Sequence, residues 1–387
     1  MSDMISLKDR TAIVGIGETA FGKAMVQSEE QLACMAIKAA LDDAGISPSE
    51  VDGLCSLNME NVFQHDIARD LGMKEVTYYS QMPAGGHGGC GTVGHAAMAI
   101  ATGQAKVVVG WRSRKRSGRA SRVWAQLEQR IQGSRDTWLR PWGIIRPVDE
   151  VGVMYTRYMH EFGATRDHLA NVALAFRSHA NRNPKAFMHA KPMSREDYFA
   201  ARWISEPLCL FDCCLETDGA IAFVVTAVDR ARDCRNRPVY VHAAAQGFDG
   251  GSAILANYFT ADPMRSQAAT CAKSLWRQSD FRAADIKVAQ FYDAFTPEVF
   301  FTLEGYGFCG RGEGAAFTED GGVALGGRLP VNTGGGSLSE VYLHGFNMIT
   351  EGVKQMRGTS TGQVEQADCC FVSSSDLGPT CAVVLRN

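Results

Sequence analysis

No apolar run in this 387-residue sequence is long enough to cross a bilayer, so no membrane span is expected. The opening MSDMISLKDRTAIVG is polar and then runs into a strand, without the apolar core or cleavage pattern of a secretory leader. An excess of one charge is missing too. The formal net charge is -3, which leaves no footprint for nucleic acid or an anionic membrane. One basic run, RSRKRSGRASR (Arg112 to Arg122), stands out and reads first as solvated surface, with phosphate contact as the alternative. Twelve cysteines are present, yet none has CxxC spacing and none joins histidines in a zinc pattern. Most therefore read as small hydrophobes in a reducing cytoplasm, and no metal is expected in this chain.

What is present is ample core material, with 45% apolar and 21% charged residues. The chain also repeats itself. TAIVGIGET is a strand ending in a glycine turn, followed by the amphipathic helix QLACMAIKAALDDAGI and the strand SPSEVDGLCSLN. A second copy runs RPVYVHAAAQGFDG, QAATCAKSLWRQSDF and RAADIKVAQFYDAF. Later units match as well. AGGHGGCGTVGHAAMAIATGQ leads to KVVVG, and NTGGGSLSEVYLHGFNMITEGVKQMRG leads to ADCCFVSS. Strand–helix alternation with apolar strands implies an α/β fold, a parallel-rich sheet covered on both faces. Two halves are expected, 1–232 and 233–387, with the linker near 229–238. Ser117 to Ala201 fits neither copy and is expected to be an inserted cap.

Glycine loops opening a central helix in each half resemble the thiolase superfamily. SEPLCLFDCCLETDGAIAFVVTAVDRA, YDAFTPEVFFTLEGYGFCGRGEGAAF and NTGGGSLSEVYLHG are similar to its sterol-carrier-type branch. The resemblance implies duplicated βαβαβαββ halves forming a five-layer α-β-α-β-α core. It also implies a nucleophilic cysteine, but counting back from Gly103 by the family's spacing reaches Gly86. Cys90 lies one helical turn later, where a thiolate at a helix N-terminus would be favoured; it reads instead as a packed interior cysteine. Tyr342 stands at the family's oxyanion histidine, Tyr292 at the asparagine or histidine of the third motif, and Ser373 to Ser375 where a base cysteine is usual.

Two tyrosines in place of the thiolase groups resemble the thiolase-like aldolases of steroid side-chain breakdown, often labelled lipid-transfer proteins. That resemblance implies retro-aldol cleavage of a 17-hydroxy steroid-20-carboxyl-CoA to a 17-keto steroid and propionyl-CoA, with Tyr292 and Tyr342 moving the protons. The chemistry shares the thioester enolate of a thiolase but needs no acyl-enzyme. Glycines at 85 and 86 would let substrate approach the backbone, and N–H groups at the helix start would hold an oxyanion. Gly335 and Gly336 are expected to do the same in the second half. Asp293 is a candidate to orient Tyr292 or a water, His344 a candidate to tune Tyr342, and His87 a substrate-side neighbour, each with a structural role as the alternative. Glu313 is a weaker candidate.

Coenzyme A would enter as part of the substrate beside the cap, with Arg112, Arg114 and Lys115 as candidate phosphate contacts. The resemblance further implies a homodimer core, paired through the edge strand at Lys74–Gln81. It also implies a small partner with an OB-fold and zinc ribbon, completing a heterotetramer; any zinc belongs to that partner. Two other functions stay open from sequence: an acetyl-CoA acetyltransferase, which needs an active-centre cysteine, and a non-catalytic acyl-CoA carrier.

Overall fold

The computed structural model describes residues 6–83, 85–117, 137–250, 255 and 260–387. The N-terminal half runs β1 (Thr11–Glu18), α1 (Glu29–Ala44), β2 (Gly53–Leu57), α2 (Gln64–Leu71), β3 (Tyr78–Met82), α3 (Gly89–Ala101) and β4 (Val107–Arg114). An insertion follows, with α4 (Pro147–Phe162), α5 (Arg166–Arg182), α6 (Arg195–Ala200) and the small ribbon β5 (Trp203–Ser205) and β6 (Leu208–Cys209). β7 (Gly219–Ala227) closes the half, and α7 (Val228–Ala231) leads across. The C-terminal half has β8 (Val239–Gly247), α8 (Ala269–Gln278), β9 (Ala289–Gln290), α9 (Thr296–Gly305), α10 (Gly336–Ser339), α11 (Phe346–Arg357), β10 (Cys369–Ser373) and β11 (Thr380–Arg386).

Sheet order is β3-β2-β4-β7-β1-β8-β11-β10-β9, so the strand order of the first half recurs in reverse across the antiparallel β1–β8 seam. Where β3 pairs in parallel with β2, the second half has only a parallel bridge between Ala289 and Val331. Helix α1 shows how sequence makes these elements. Ser28 and Gln31 form a capping box, Gly45 ends the helix at φ +73, and Leu32, Ala33, Ala36, Ile37, Ala40 and Leu41 bury one face. Helix α3 differs, being rich in glycine and alanine on every side and buried nearly all round. It packs on β2, β3, β4 and β7 of one half and on β8 and β11 of the other, while α1 covers the N-terminal strands and α8 the C-terminal ones. The five-layer order expected from sequence is therefore present, although the two sheets join edge to edge.

β3 is an edge strand, with Tyr79 72% exposed. The insertion packs as a cap on the C-terminal half: Val151, Tyr155, Tyr158, Phe176 and Tyr198 share one apolar cluster with Phe291, Phe300 and Leu338. Residues 118–136 of the cap, including the end of the basic run, lie outside the described residues, as does Ala84. Among the described residues no helix is long and apolar enough to cross a membrane, and no group of His, Cys, Asp and Glu could hold a metal ion.

Candidate active site

Three loops at the centre of the molecule converge. The first is the turn Gly85–His87 ahead of α3, the second is residues 291–295 after β9, and the third separates α10 from α11. The second loop is clamped by Asn332, which accepts from the Phe291 amide at 2.7 Å and donates to the Phe291 carbonyl at 2.9 Å. The third loop exists because His344 (φ +53) and Gly345 (φ +84) both leave the right-handed region. One helix was expected from Gly336 onward; this corner breaks it into α10 and α11 and carries Tyr342 on the break. The Tyr342 amide is held by the Thr217 hydroxyl at 3.2 Å.

The two tyrosines meet here. Their phenol oxygens lie 2.7 Å apart, both rings are buried, and the rings are inclined at 61°. Gly86 is the third member: a Cβ there would stand 2.1 Å from the Tyr292 phenol oxygen. The phenol has taken the volume a side chain at residue 86 would need, so tyrosine and glycine are a matched pair.

Cys90 is the second residue of α3, in its first turn, and not a turn inside the helix as its four-residue offset from Gly86 suggested. It is 2% exposed, its amide donates to the Ser374 hydroxyl at 2.9 Å, and burial pushes its thiol up to about 12. It is a packing residue. The Ser374 contact also occupies one of the helix-start N–H groups expected to hold an oxyanion.

Other candidates are placed differently from expectation. Asp293 accepts from the Ser337 amide at 2.7 Å and the Leu338 amide at 3.3 Å, and burial raises its carboxyl to about 7. Its hydrogen bonds go to the glycine loop, making it the cap of α10 rather than an orienting group for Tyr292. Gly335 and Gly336 were expected to open space for substrate. Their missing side chains instead face Ala180 of α5 (2.6 Å) and the Asp293 carboxylate (2.3 Å), so these glycines allow close protein packing. Gly85 (φ +53) faces Met59 and the His344 ring. His87 turns to the Ser375 carbonyl at 3.4 Å and not to either phenol, with burial lowering it to about 4.

Arg112 requires the largest correction. It is fully buried, donating to His344 Nδ1 at 2.8 Å and the Met59 carbonyl at 2.9 Å, and pairing with Glu60 at 3.0 Å. A guanidinium so enclosed does not reach a phosphate outside, because its charge is already spent on a buried carboxylate. Arg114 is 9% exposed beside Glu29, and burial lowers it to about 10. Lys115 alone of the three is half-buried. His344, in contrast, is where expected, its ring edge-to-face on Tyr342 at 5.1 Å.

Sequence reasoning passed over two groups. Arg116 lies with its guanidinium 4.6 Å from the centre of the Tyr342 ring and its Nη2 2.8 Å from His344 Nε2. It sat within the noted basic run, with nothing local to mark it. Glu298 accepts from the Ser375 hydroxyl at 2.7 Å and is held well above its usual range by burial. An acid near the start of TPEVFFTLE was the only hint. Since the Ser375 amide also donates to the Gly86 carbonyl at 3.0 Å, Glu298 ties the loops of both halves together.

Burial raises both phenols. Tyr292 moves well above 10. Tyr342 is pushed to about 12 by burial and the neighbouring Cys214, with the Arg116 charge opposing. The pair is suited to relaying a proton between two neutral hydroxyls, not to storing a phenolate at neutral pH.

The thiolase N-terminal domain model matches residues 11–194 and the thiolase C-terminal domain-like model residues 256–383. A 17-hydroxy-3-oxo-4-pregnene-20-carboxyl-CoA lyase of Mycobacterium tuberculosis is 43% identical over 98% of this chain and 100% of its own. The chain belongs to the thiolase superfamily. A second member, a steroid side-chain-cleaving aldolase of Thermomonospora curvata, is 41% identical over 99% of each chain. Among solved thiolase-fold structures, the Ltp2-ChsH2(DUF35) aldolase superposes with a TM-score of 0.93, at 41% identity and 98% coverage of both chains.

Proposed function

We propose that this chain is a CoA-dependent retro-aldolase acting on a steroid side-chain thioester: a 17-hydroxy steroid-20-carboxyl-CoA yields a 17-keto steroid and propionyl-CoA. The observation that carries this reading is the 2.7 Å contact of Tyr292 and Tyr342 against the empty side of Gly86. Two relatives that span nearly the whole chain carry matching names.

The chemistry follows from the geometry. One phenol takes the proton of the substrate's tertiary hydroxyl. The α–β carbon bond breaks, its electrons pass to the thioester enolate, and the hydroxyl carbon becomes a ketone. The other phenol protonates the enolate carbon. The proton gained at one phenol crosses the shared hydrogen bond to the other, so the pair is restored without net proton exchange. An ionised Tyr342 at neutral pH would cost about 7 kcal/mol for a group near 12, which favours relay over a stable anion.

In this reading coenzyme A arrives as part of the substrate, and Lys115 is the residue retained as a phosphate contact. We infer a homodimer paired through β3. A partner with an OB-fold and zinc ribbon would complete a heterotetramer, in keeping with a structural relative named for two proteins. A cytoplasmic location fits the many reduced cysteines.

The test is release of propionyl-CoA, followed by mass, from a steroid 17-hydroxy-acyl-CoA by the chain with its partner. Tyr292→Phe and Tyr342→Phe should each lower kcat by about a hundredfold or more. Full activity in both variants, or loss in Cys90→Ala, would overturn the reading. Acyl-CoA binding without release by wild type would make the chain a carrier.

A further inference from the structure

The two phenols are equivalent in type but not in surroundings. Tyr342 faces Arg116 from the segment after β4, His344 on its own loop, Tyr292 from the loop after β9, Cys214 from the segment before β7 and Glu298 from α9. Tyr292 faces Tyr342, Glu298 and Cys214. Of these neighbours one is a permanent cation, and it lies over the ring of Tyr342 only.

How Arg116 is held there can be read from His344. A guanidinium nitrogen stands 2.8 Å from each imidazole nitrogen, Arg112 Nε at Nδ1 and Arg116 Nη2 at Nε2. Burial first, then the charges of Arg112, Arg116 and Arg114, keep this imidazole neutral. A neutral ring has one acceptor nitrogen, and both neighbours are donors, so only one contact is a full hydrogen bond. Arg112 is fixed independently by Glu60 and the Met59 carbonyl and therefore takes the acceptor. The Arg116 guanidinium lies beside the His344 ring and over the face of Tyr342, where a cation stabilises negative charge on a phenol.

We propose that Arg116 is a positioning residue for charge: it makes Tyr342, not Tyr292, the phenol that receives the substrate's hydroxyl proton. The inference rests on the retro-aldolase reading for its consequence and on geometry for its mechanism. In the relay, Tyr342 accepts the hydroxyl proton while passing its own to Tyr292, which protonates the enolate carbon. Charge lagging behind the moving proton accumulates on Tyr342, under the guanidinium.

The experiment compares wild type, Arg116→Lys and Arg116→Met in complex with the partner. Phenolate absorbance near 295 nm is titrated in the free proteins, and kcat and KM for propionyl-CoA release are measured against pH. Removing the cation should raise the transition of the most acidic buried tyrosine in Arg116→Met, with Arg116→Lys intermediate. Because both phenols act as neutral groups in the relay, kcat should fall about a hundredfold at neutral pH with KM little changed. The moving transition should vanish in Tyr342→Phe and persist in Tyr292→Phe. A raised KM at unchanged kcat would make Arg116 a substrate-binding residue and overturn the inference. So would an unshifted titration, or a shift lost in Tyr292→Phe. The titration needs no substrate, so it stands or fails separately from the aldolase reading, which falls only if wild type releases no propionyl-CoA.

Discussion

A side-chain carbon on Gly86 would stand 2.1 Å from the Tyr292 phenol oxygen, so residue 86 and residue 292 cannot both carry bulk here. Gly86→Ala is expected to displace the Tyr292 ring and lengthen its bond to Tyr342. kcat should fall at least about a hundredfold, with a stability cost of about 1–3 kcal/mol from overpacking. Gly86→Cys should not gain acetyl transfer, because the phenol blocks the thiol's approach. Acetyl-CoA exchange by that variant would show that the blocking argument is wrong.

Cys90 supplies the complementary case. Cys90→Ala removes one buried sulfur and should cost about 1 kcal/mol while leaving kcat within about twofold of wild type. Its thiol, buried and raised to about 12, should also resist alkylation in the folded protein. Mass mapping after iodoacetamide checks this, and rapid labelling of Cys90 would contradict it.

The Arg112–Glu60 pair is wholly enclosed, and the same carboxylate accepts from the Ser113 amide and hydroxyl. Glu60→Gln leaves a guanidinium buried without its counter-charge. Unfolding should become easier by about 3–5 kcal/mol in denaturant titration. An unchanged midpoint would mean that water reaches this arginine after all.

Stability should lean to the acid side. Burial raises Asp293 to about 7 and both Asp376 and Glu340 to about 8. Each binds its proton more tightly folded than unfolded, so its contribution is complete below about pH 4 and lost as pH rises through 7 to 8. Glu18 opposes this at the acid end. Burial raises it, but Lys354 and Lys185 outweigh that and bring it to about 2, so its contribution disappears as pH falls from about 4 towards 2. Tm should therefore peak near pH 4–6 and decline towards pH 8.5. Glu340→Gln should flatten the alkaline decline by on the order of 1–4 kcal/mol. An equally steep decline in that variant would remove Glu340 from the explanation.

The sequence alone determined the duplicated halves, because strand and helix periodicity is a local property repeated along the chain. Set against the thiolase motifs it resembles, it also pointed to glycine at residue 86, to cysteine four residues later, and to Tyr292 and Tyr342. What it left undecided depends on contacts between residues far apart in the chain. Asp293 looked catalytic until the structure gave its carboxylate the amides of Ser337 and Leu338. Arg112 looked like surface within a basic run until Glu60 enclosed it. Arg116 and Glu298 carried no local mark at all. A charged side chain declares its role only through the partner that neutralises or exploits it. For Arg112 and Arg116, whose contacts with His344 span 232 and 228 residues, only the tertiary fold supplies that partner.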